Sequence, residues 1–416
     1  MPLQRIALLS YHTCPLALQE GKETGGMNIY VLELAKELAK GGLKIDIFTR
    51  SQATDNPFIV QVEPNLRVIH LPAGPQASVP KKELLKYIDE FVAQLLAFAN
   101  NESINYELLY AHYYMSGLAA IKAQALIKTE TGIKLPIVFT FHTLALMKNL
   151  VARTESELES NERIEIEFTL ARQVDKIIAA SINDAQYLHY LYEVPHKRIA
   201  VIPPGVNTKL FLPIDQLEAK KHIGADPDHK LILFVGRIEP LKGLDGLLYA
   251  IKILLNKTPP HPVCLWIVGG DINSHPSEWS AELKKLKELR HLLNIPTSVR
   301  FAGQQTQEEL VYYYNAAEVA VMPSHYESFG MAAAEAMACG TPVITSNVAG
   351  ISQLLDEKHK PLLTTVSNPL LLADQIEHVL THRTSHEEAA SELRQKVQDL
   401  AWPQIAERIL RVLIEA

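Results

Sequence analysis

Two glutamates, Glu327 and Glu335, frame one strand-to-helix junction in the run Ser324-His325-Tyr326-Glu327-Ser328-Phe329-Gly330-Met331-Ala332-Ala333-Ala334-Glu335. An apolar strand over Val319–Met322 leads in, and a helix of small residues, stopped by Gly340-Thr341-Pro342, carries the second acid. A helix N-terminus presents free backbone N–H groups and partial positive charge, a seat for phosphate or a sugar hydroxyl. One acid precedes that seat and the other lies about two turns further on. A ligand with sugar hydroxyls at both ends and phosphate in its middle, such as a nucleotide sugar, suits this spacing. The plainer reading is a surface acid and a solvent-facing helix acid. It is weakened because Glu335 lies in the otherwise apolar stretch Met331–Cys339, where a free acid is costly.

A second constellation supplies the counter-charge. Gly236-Arg237-Ile238-Glu239-Pro240-Leu241-Lys242-Gly243 follows a strand end and brings two cations to the carboxyl edge of a sheet. Guanidinium and ammonium can together neutralise a diphosphate and stabilise it as a leaving group. Alone, this motif reads as a solvated basic turn. Three weaker constellations also end strands. Gly25-Gly26-Met27-Asn28 opens a helix and would let backbone approach an anion; it is not GxGxxG, which disfavours a dinucleotide. His142 in Phe139-Thr140-Phe141-His142-Thr143, and His112-Tyr113-Tyr114, are more often core residues than catalytic ones when taken singly. What joins the five is that each falls where a strand gives way to a loop.

The elements that place them alternate strand and amphipathic helix, the pattern of a parallel sheet. Strands are expected at Arg5–Ser10, Lys44–Thr49, Arg67–Leu71, Glu107–Ala111, Ile137–Phe141, Lys176–Ala180 and Ile199–Ile202. Helices are expected at Met27–Lys40, with Ile29, Leu32, Leu34, Ala35 and Leu38 on one side, and at Glu83–Ala99. Pro203-Pro204-Gly205 breaks this series. A second begins at Leu231–Val235 and runs through Val263–Val268, Val299–Ala302, Val319–Met322 and Pro342–Thr345. The expected fold is therefore α/β, two Rossmann-like doubly wound domains (1–205 and 206–398) facing a central cleft, with the hinge near Ile202–Pro213. A last amphipathic helix follows Trp402-Pro403.

The chain's 416 residues, 47% hydrophobic and 21% charged, suit two ordinary globular domains. A net charge of −7 argues against a general nucleic-acid or anionic-membrane binder. Three scattered cysteines, Cys14, Cys264 and Cys339, without a CxxC, suggest neither disulfide framework nor zinc site and point to the reducing cytoplasm. No apolar run is long enough to span a bilayer. Oligomeric state stays open, a homodimer included.

Taken together, these residues resemble the retaining GT-B glycosyltransferases of glycosyltransferase family 4. The strings VGRIEPLKG and ESFGMAAAEAMACGTPVI are highly specific to that family. GGMNIYV, AHYYMSG, FTFHTLALMKN and ERIEIE look most like the mycothiol-type inositol-phosphate N-acetylglucosaminyltransferases and the sucrose-phosphate synthases. At Met27 and around His142 the chain follows the mycothiol type; Val151–Ser160 matches neither group. The resemblance implies that the last helix, 399–416, crosses back to the first domain. It implies that Arg237 and Lys242 hold the donor diphosphate, that Glu335 binds the ribose, and that Glu327, with the backbone of Phe329, Gly330 and Met331, orients the transferred sugar. Gly26 would approach the diphosphate and His142 the donor sugar. For the acceptor, Asn28 and Thr143 would touch hydroxyls, while Lys81, Tyr113 and Arg163 would hold a phosphate.

The activity this implies is retaining transfer of a hexose, glucose or N-acetylglucosamine, from a UDP-sugar to a phosphorylated acceptor such as fructose 6-phosphate or inositol phosphate. Domain closure would exclude water, and no metal or cofactor would be required. A sugar-nucleotide epimerase, a phosphorylase or a non-catalytic nucleotide-sugar sensor would share the two-domain architecture.

Overall fold

A computed structural model describes residues 3–17, 25–257, 261–348, 350–356, 359, 362–364 and 368–416, by backbone alone at 383–387. The chain forms two compact units. The first comprises 1–149, 158–203 and 402–416, and the second 150–157 and 204–401.

The first unit holds eight strands: β1 (Arg5–Leu9), β2 (Lys44–Arg50), β3 (Ile59–Glu63), β4 (Leu66–Leu71), β5 (Leu108–His112), β6 (Ile137–Thr140), β7 (Lys176–Ala179) and β8 (Ile199–Val201). Their order is β3-β4-β2-β1-β5-β6-β7-β8. Every pairing is parallel except β3 with β4. β1 and β5 are wholly buried apolar runs apart from Arg5 and the buried His112, as expected of strands covered on both faces. The helix Gly26–Lys40 packs on the sheet through Val31, Leu34, Ala35 and Leu38, with Ile29 only half-buried; the buried stripe begins at Asn28 and Tyr30 instead. The terminal helix Trp402–Glu415 lies in this unit. The Trp402 ring meets Tyr30 edge-on at 5.5 Å, and Arg408 donates to the Val201 carbonyl at 3.1 Å.

Two features differ from expectation here. The strand Ile59–Glu63 was not foreseen: it is an edge strand with no fully buried residue, so it carries little of the apolar signal that marks a strand. The segment expected as one helix over Glu83–Ala99 is a 3₁₀ turn, Lys81–Tyr87, followed by an α-helix, Ile88–Asn101, whose first turn carries Asp89 and Glu90.

The second unit holds β9 (Lys230–Val235), β10 (Val263–Val268), β11 (Val299–Gly303), β12 (Val319–Met322), β13 (Val343–Ser346) and the short β14 (Leu363–Thr364). All pairings are parallel, in the order β11-β10-β9-β12-β13-β14. β14, two residues long, was also unforeseen.

In each sheet the chain reverses its direction of winding beside one strand. β1 has β2 on one flank and β5 on the other; β9 has β10 and β12. Loops leaving the carboxyl ends of such neighbours diverge to opposite faces and leave a crevice. Gly243 shows how tightly the second crevice is built. Its φ is +69°, and a Cβ there would lie 2.2 Å from the Pro323 carbonyl oxygen. Gly243→Ala is expected to cost about 2 kcal/mol or more in stability through backbone strain and overpacking. Urea denaturation checks this; an unchanged midpoint would contradict it.

Candidate functional site

In the second unit, the loops after β9 and β12 are bound edge to edge because their strands are neighbours. The His325 N–H donates to the Leu241 carbonyl at 2.7 Å. This brings the basic turn against the acidic junction. Lys242 donates to Glu327 Oε2, and Arg237 pairs with Glu239 at 2.8 Å within its own turn, its side chain 43% exposed. Arg153, from the 150–157 segment of the same unit, pairs with Asp245 and donates to the Pro240 carbonyl at 3.1 Å and to His325 Nε2 at 2.9 Å. Burial first, then the Arg153 charge, lowers the His325 pKa. Gly330, at φ +106°, caps the helix Met331–Ala338, with Phe329 buried just before it and Met331 as its first residue.

Glu335 points inward, 6% exposed, and accepts from the Tyr314 hydroxyl at 2.8 Å. Burial pushes its pKa up to about 7, against the opposing pull of that hydrogen bond. Glu327 and Glu335 therefore have different surroundings: one is matched to a lysine, the other to a phenol.

In the first unit the loops after β1, β5 and β6 carry the chemistry. Gly26 is the first residue of its helix, and Asn28 lies within the first turn. The Asn28 amide donates to Thr13 Oγ1 at 2.8 Å and to the Cys14 carbonyl at 2.6 Å, while its buried Oδ1 has no partner among the described residues. His112 and His142 meet ring to ring, Nδ1 to Nε2 at 3.0 Å. Burial lowers both pKa values, that of His142 to about 3, so both are neutral and share one proton between facing nitrogens. His142 (φ +62°) and Tyr113 (φ +74°) each sit in left-handed backbone just past a strand end. Such strain persists where surrounding packing over-determines it, and it clusters at functional sites.

Tyr113 stands in a cationic group. Lys81 Nζ lies 4.5 Å from its ring centroid, and Arg163 donates to its hydroxyl at 3.0 Å. Arg163 is 1% exposed and also bonds the carbonyl and hydroxyl of Thr143, both at 3.1 Å, and Glu167 at 2.8 Å. Thus Lys81, Tyr113, Thr143 and Arg163, spread over 83 positions of sequence, form one cluster. Among the described residues no group of three or more His, Cys, Asp or Glu converges as a metal cage would.

Sequence reasoning missed Tyr314, Lys148, Glu159 and Glu167. Nothing in the sequence ties Tyr314 to Glu335. A signal for the acids did exist: Glu159, Arg163 and Glu167 stand at i, i+4, i+8, the spacing at which side chains meet on a helix.

Known proteins are similar to this chain along nearly its whole length. Residues 24–210 match the model of glycosyltransferase family 4, and 215–397 that of glycosyl transferases group 1. A D-inositol 3-phosphate glycosyltransferase of Nocardiopsis dassonvillei is 34% identical over 409 residues, spanning 98% of this chain and 94% of that protein. The chain belongs to glycosyltransferase family 4. A protein of the same name from Corynebacterium efficiens is 32% identical over 99% of this chain and 95% of its own length. The structure of a sucrose-phosphate synthase from Thermosynechococcus elongatus superposes with a TM-score of 0.88 at 31% identity, covering 99% of this chain and 98% of the other. The fold is GT-B, and the family-4 chain is a retaining, nucleotide-sugar-dependent glycosyltransferase rather than an epimerase or a non-catalytic sensor. No helix among its described residues is long and apolar enough to cross a membrane.

The buried acid of this family-4 chain gives a pH test. Because the native pKa of Glu335 is raised above its ordinary value, the native state holds the proton more tightly than the unfolded chain. That contribution is fully present below pH 4.5 and lost as pH rises through about 7. The stability of the wild type relative to Glu335→Gln should therefore fall between pH 4.5 and 8, by at most about 3 kcal/mol. Parallel urea-denaturation curves for the two proteins across that range would contradict it.

Proposed function

We propose that the enzyme transfers a hexose, glucose or N-acetylglucosamine, with retention, from a UDP-sugar to a phosphorylated sugar or polyol. The observation that carries the acceptor class is that Lys148 and Arg163 meet on one carboxylate, Glu159, while Lys81 lies over the ring of Tyr113, whose hydroxyl Arg163 also bonds, beside Thr143. The names of the relatives support it, since inositol 3-phosphate and sucrose phosphate both carry a phosphate. Fructose 6-phosphate and inositol phosphate are the two acceptors to try first. The setting consistent with these substrates is the cytoplasm.

On the donor side, the diphosphate takes Arg237 from Glu239 and Lys242 from Glu327. The freed Glu327 receives hydroxyls of the transferred sugar, with the N–H groups behind Phe329, Gly330 and Met331. Glu335 accepts the ribose hydroxyls as a carboxylate, while Gly26 lets backbone approach the diphosphate. As the bond from the anomeric carbon to the diphosphate oxygen breaks, negative charge grows on that oxygen. Arg237, Lys242 and the helix dipole at Gly330 stabilise it. The acceptor hydroxyl, oriented by Asn28 Oδ1 and Thr143, bonds to the same face of the anomeric carbon, and its proton passes to the departing phosphate oxygen. His142, held neutral, contributes a hydrogen bond to the donor sugar and not a charge. No metal is needed in this scheme, because side chains meet the diphosphate charge.

A UDP-release screen crossing UDP-glucose and UDP-N-acetylglucosamine with sugar and polyol phosphates tests the reading; turnover confined to unphosphorylated acceptors would overturn it. Arg237→Ala should lower kcat by roughly two orders of magnitude, about 3 kcal/mol of transition-state stabilisation. Near-normal turnover in that variant would remove the diphosphate role. Chelator treatment should leave turnover unchanged, and its abolition would refute metal independence.

A further inference from the structure

Arg163 is already engaged by two acids, a phenol and a threonine. A guanidinium carries five N–H groups. Here Nε donates to Glu167 Oε1 at 2.8 Å, Nη1 donates to the Tyr113 hydroxyl at 3.0 Å and forms an ion pair with Glu159 Oε1 at 2.9 Å, and Nη2 donates to the Thr143 carbonyl and hydroxyl, both at 3.1 Å. An incoming phosphate meets a guanidinium already paired with a carboxylate.

The two acids on Arg163 are not alike. Glu167 is fully buried and fixed by further bonds, accepting from the Ala145 N–H at 2.9 Å and the Tyr192 hydroxyl at 2.6 Å. Glu159 keeps 21% of its side chain exposed and precedes the helix Asn161–Gln173, outside regular structure. Its backbone N–H rests on Asn149 Oδ1 at 2.7 Å, and its carboxylate joins Lys148 as well as Arg163. Burial opposes its ionisation, but the charges of Arg163, Lys148 and Lys81 pull its pKa down to about 2. Glu159 is thus a carboxylate held ionised, about a fifth of its side chain exposed, among the charges of Arg163, Lys148 and Lys81.

We propose that Glu159 is a built-in stand-in for the acceptor's phosphate, seated on Arg163 and Lys148 when the acceptor is absent and displaced when a phosphate monoester enters. The proposal rests on the phosphorylated-acceptor reading above. Its physical reason is twofold. Cations held at a buried position without a counter-ion carry a desolvation cost, which Glu159 removes in the resting enzyme. A phosphate monoester brings more charge and three acceptor oxygens, so it outcompetes one carboxylate; a neutral hydroxyl does not. The exchange therefore screens acceptors by charge, since an unphosphorylated polyol leaves the seat closed. The cost is a lower apparent acceptor affinity, because only the fraction of molecules with Glu159 displaced is competent.

The test uses the full chain, wild type and Glu159→Gln, with inorganic phosphate as probe in isothermal titration calorimetry. The variant should bind phosphate about tenfold more tightly, the size expected if roughly a tenth of the wild type is competent at rest. The KM for the phosphorylated acceptor should fall by a similar factor while the donor KM stays fixed. Equal or weaker phosphate binding by a variant whose thermal midpoint matches the wild type would overturn the proposal. Hydrogen exchange on the wild type needs no variant to fold: phosphate should speed exchange of the amides of 155–160, and unchanged or slowed exchange there contradicts displacement. Turnover of phosphorylated acceptors with neither effect would remove the role of Glu159 alone. Absence of phosphate binding, with turnover only of unphosphorylated acceptors, would remove the acceptor reading and this proposal with it.

Discussion

Cations beside the ends of these sheets need counter-charge as they leave water, and at four places the chain supplies it internally. Lys242 has Glu327, Arg237 has Glu239, Arg153 has Asp245, and Arg163 and Lys148 share Glu159. Each pair keeps a ligand-sized charge balanced in the resting protein. The half-buried pairs can be remade with a ligand anion at modest cost, because one charged partner replaces another. Removing a partner outright would leave a buried charge uncompensated, which is strongly destabilising. In three of these pairs the acid, Glu327, Glu239 or Glu159, lies outside the helices and can swing away, whereas one locked in a packed helix, such as Glu167, cannot.

The sheets set where that balance operates. Parallel order with a reversal beside β1 and beside β9 puts loops from adjacent strands side by side. Contacts between those loops then fix the geometry: the Leu241–His325 backbone bond and the close approach of Gly243 to Pro323 in the second unit, and the His112–His142 pair in the first. The left-handed backbone at Tyr113 and His142 turns both side chains out of their strands at the point where the sheet stops guiding them.

Much of this was legible in the sequence, for physical reasons. Buried parallel strands are continuous apolar runs, so all but β3 and β14 could be read to within a residue or two. Those two are an exposed edge and a two-residue pairing, with no core to advertise them. Glycine-flanked turns after strands placed Arg237, Lys242 and the Glu327–Glu335 junction, because phosphate chemistry needs cations and helix starts at strand ends. The family resemblance, not spacing, joined Lys81 to Arg163. Partners were the illegible part. That Glu335 bonds Tyr314, or that Glu159 occupies the seat expected for a phosphate, depends on packing between distant or irregular segments.

Two anion seats, one in each unit and each guarded by the chain's own carboxylates, are the core of this account. A crystal structure of the enzyme grown with UDP and inorganic phosphate tests them together. The account predicts the UDP diphosphate on Arg237 and Lys242 with the ribose on Glu335, and phosphate on Arg163 and Lys148 with Glu159 turned away. A diphosphate bound apart from Arg237 and Lys242, or Glu159 still seated on Arg163 with the phosphate elsewhere, would contradict it.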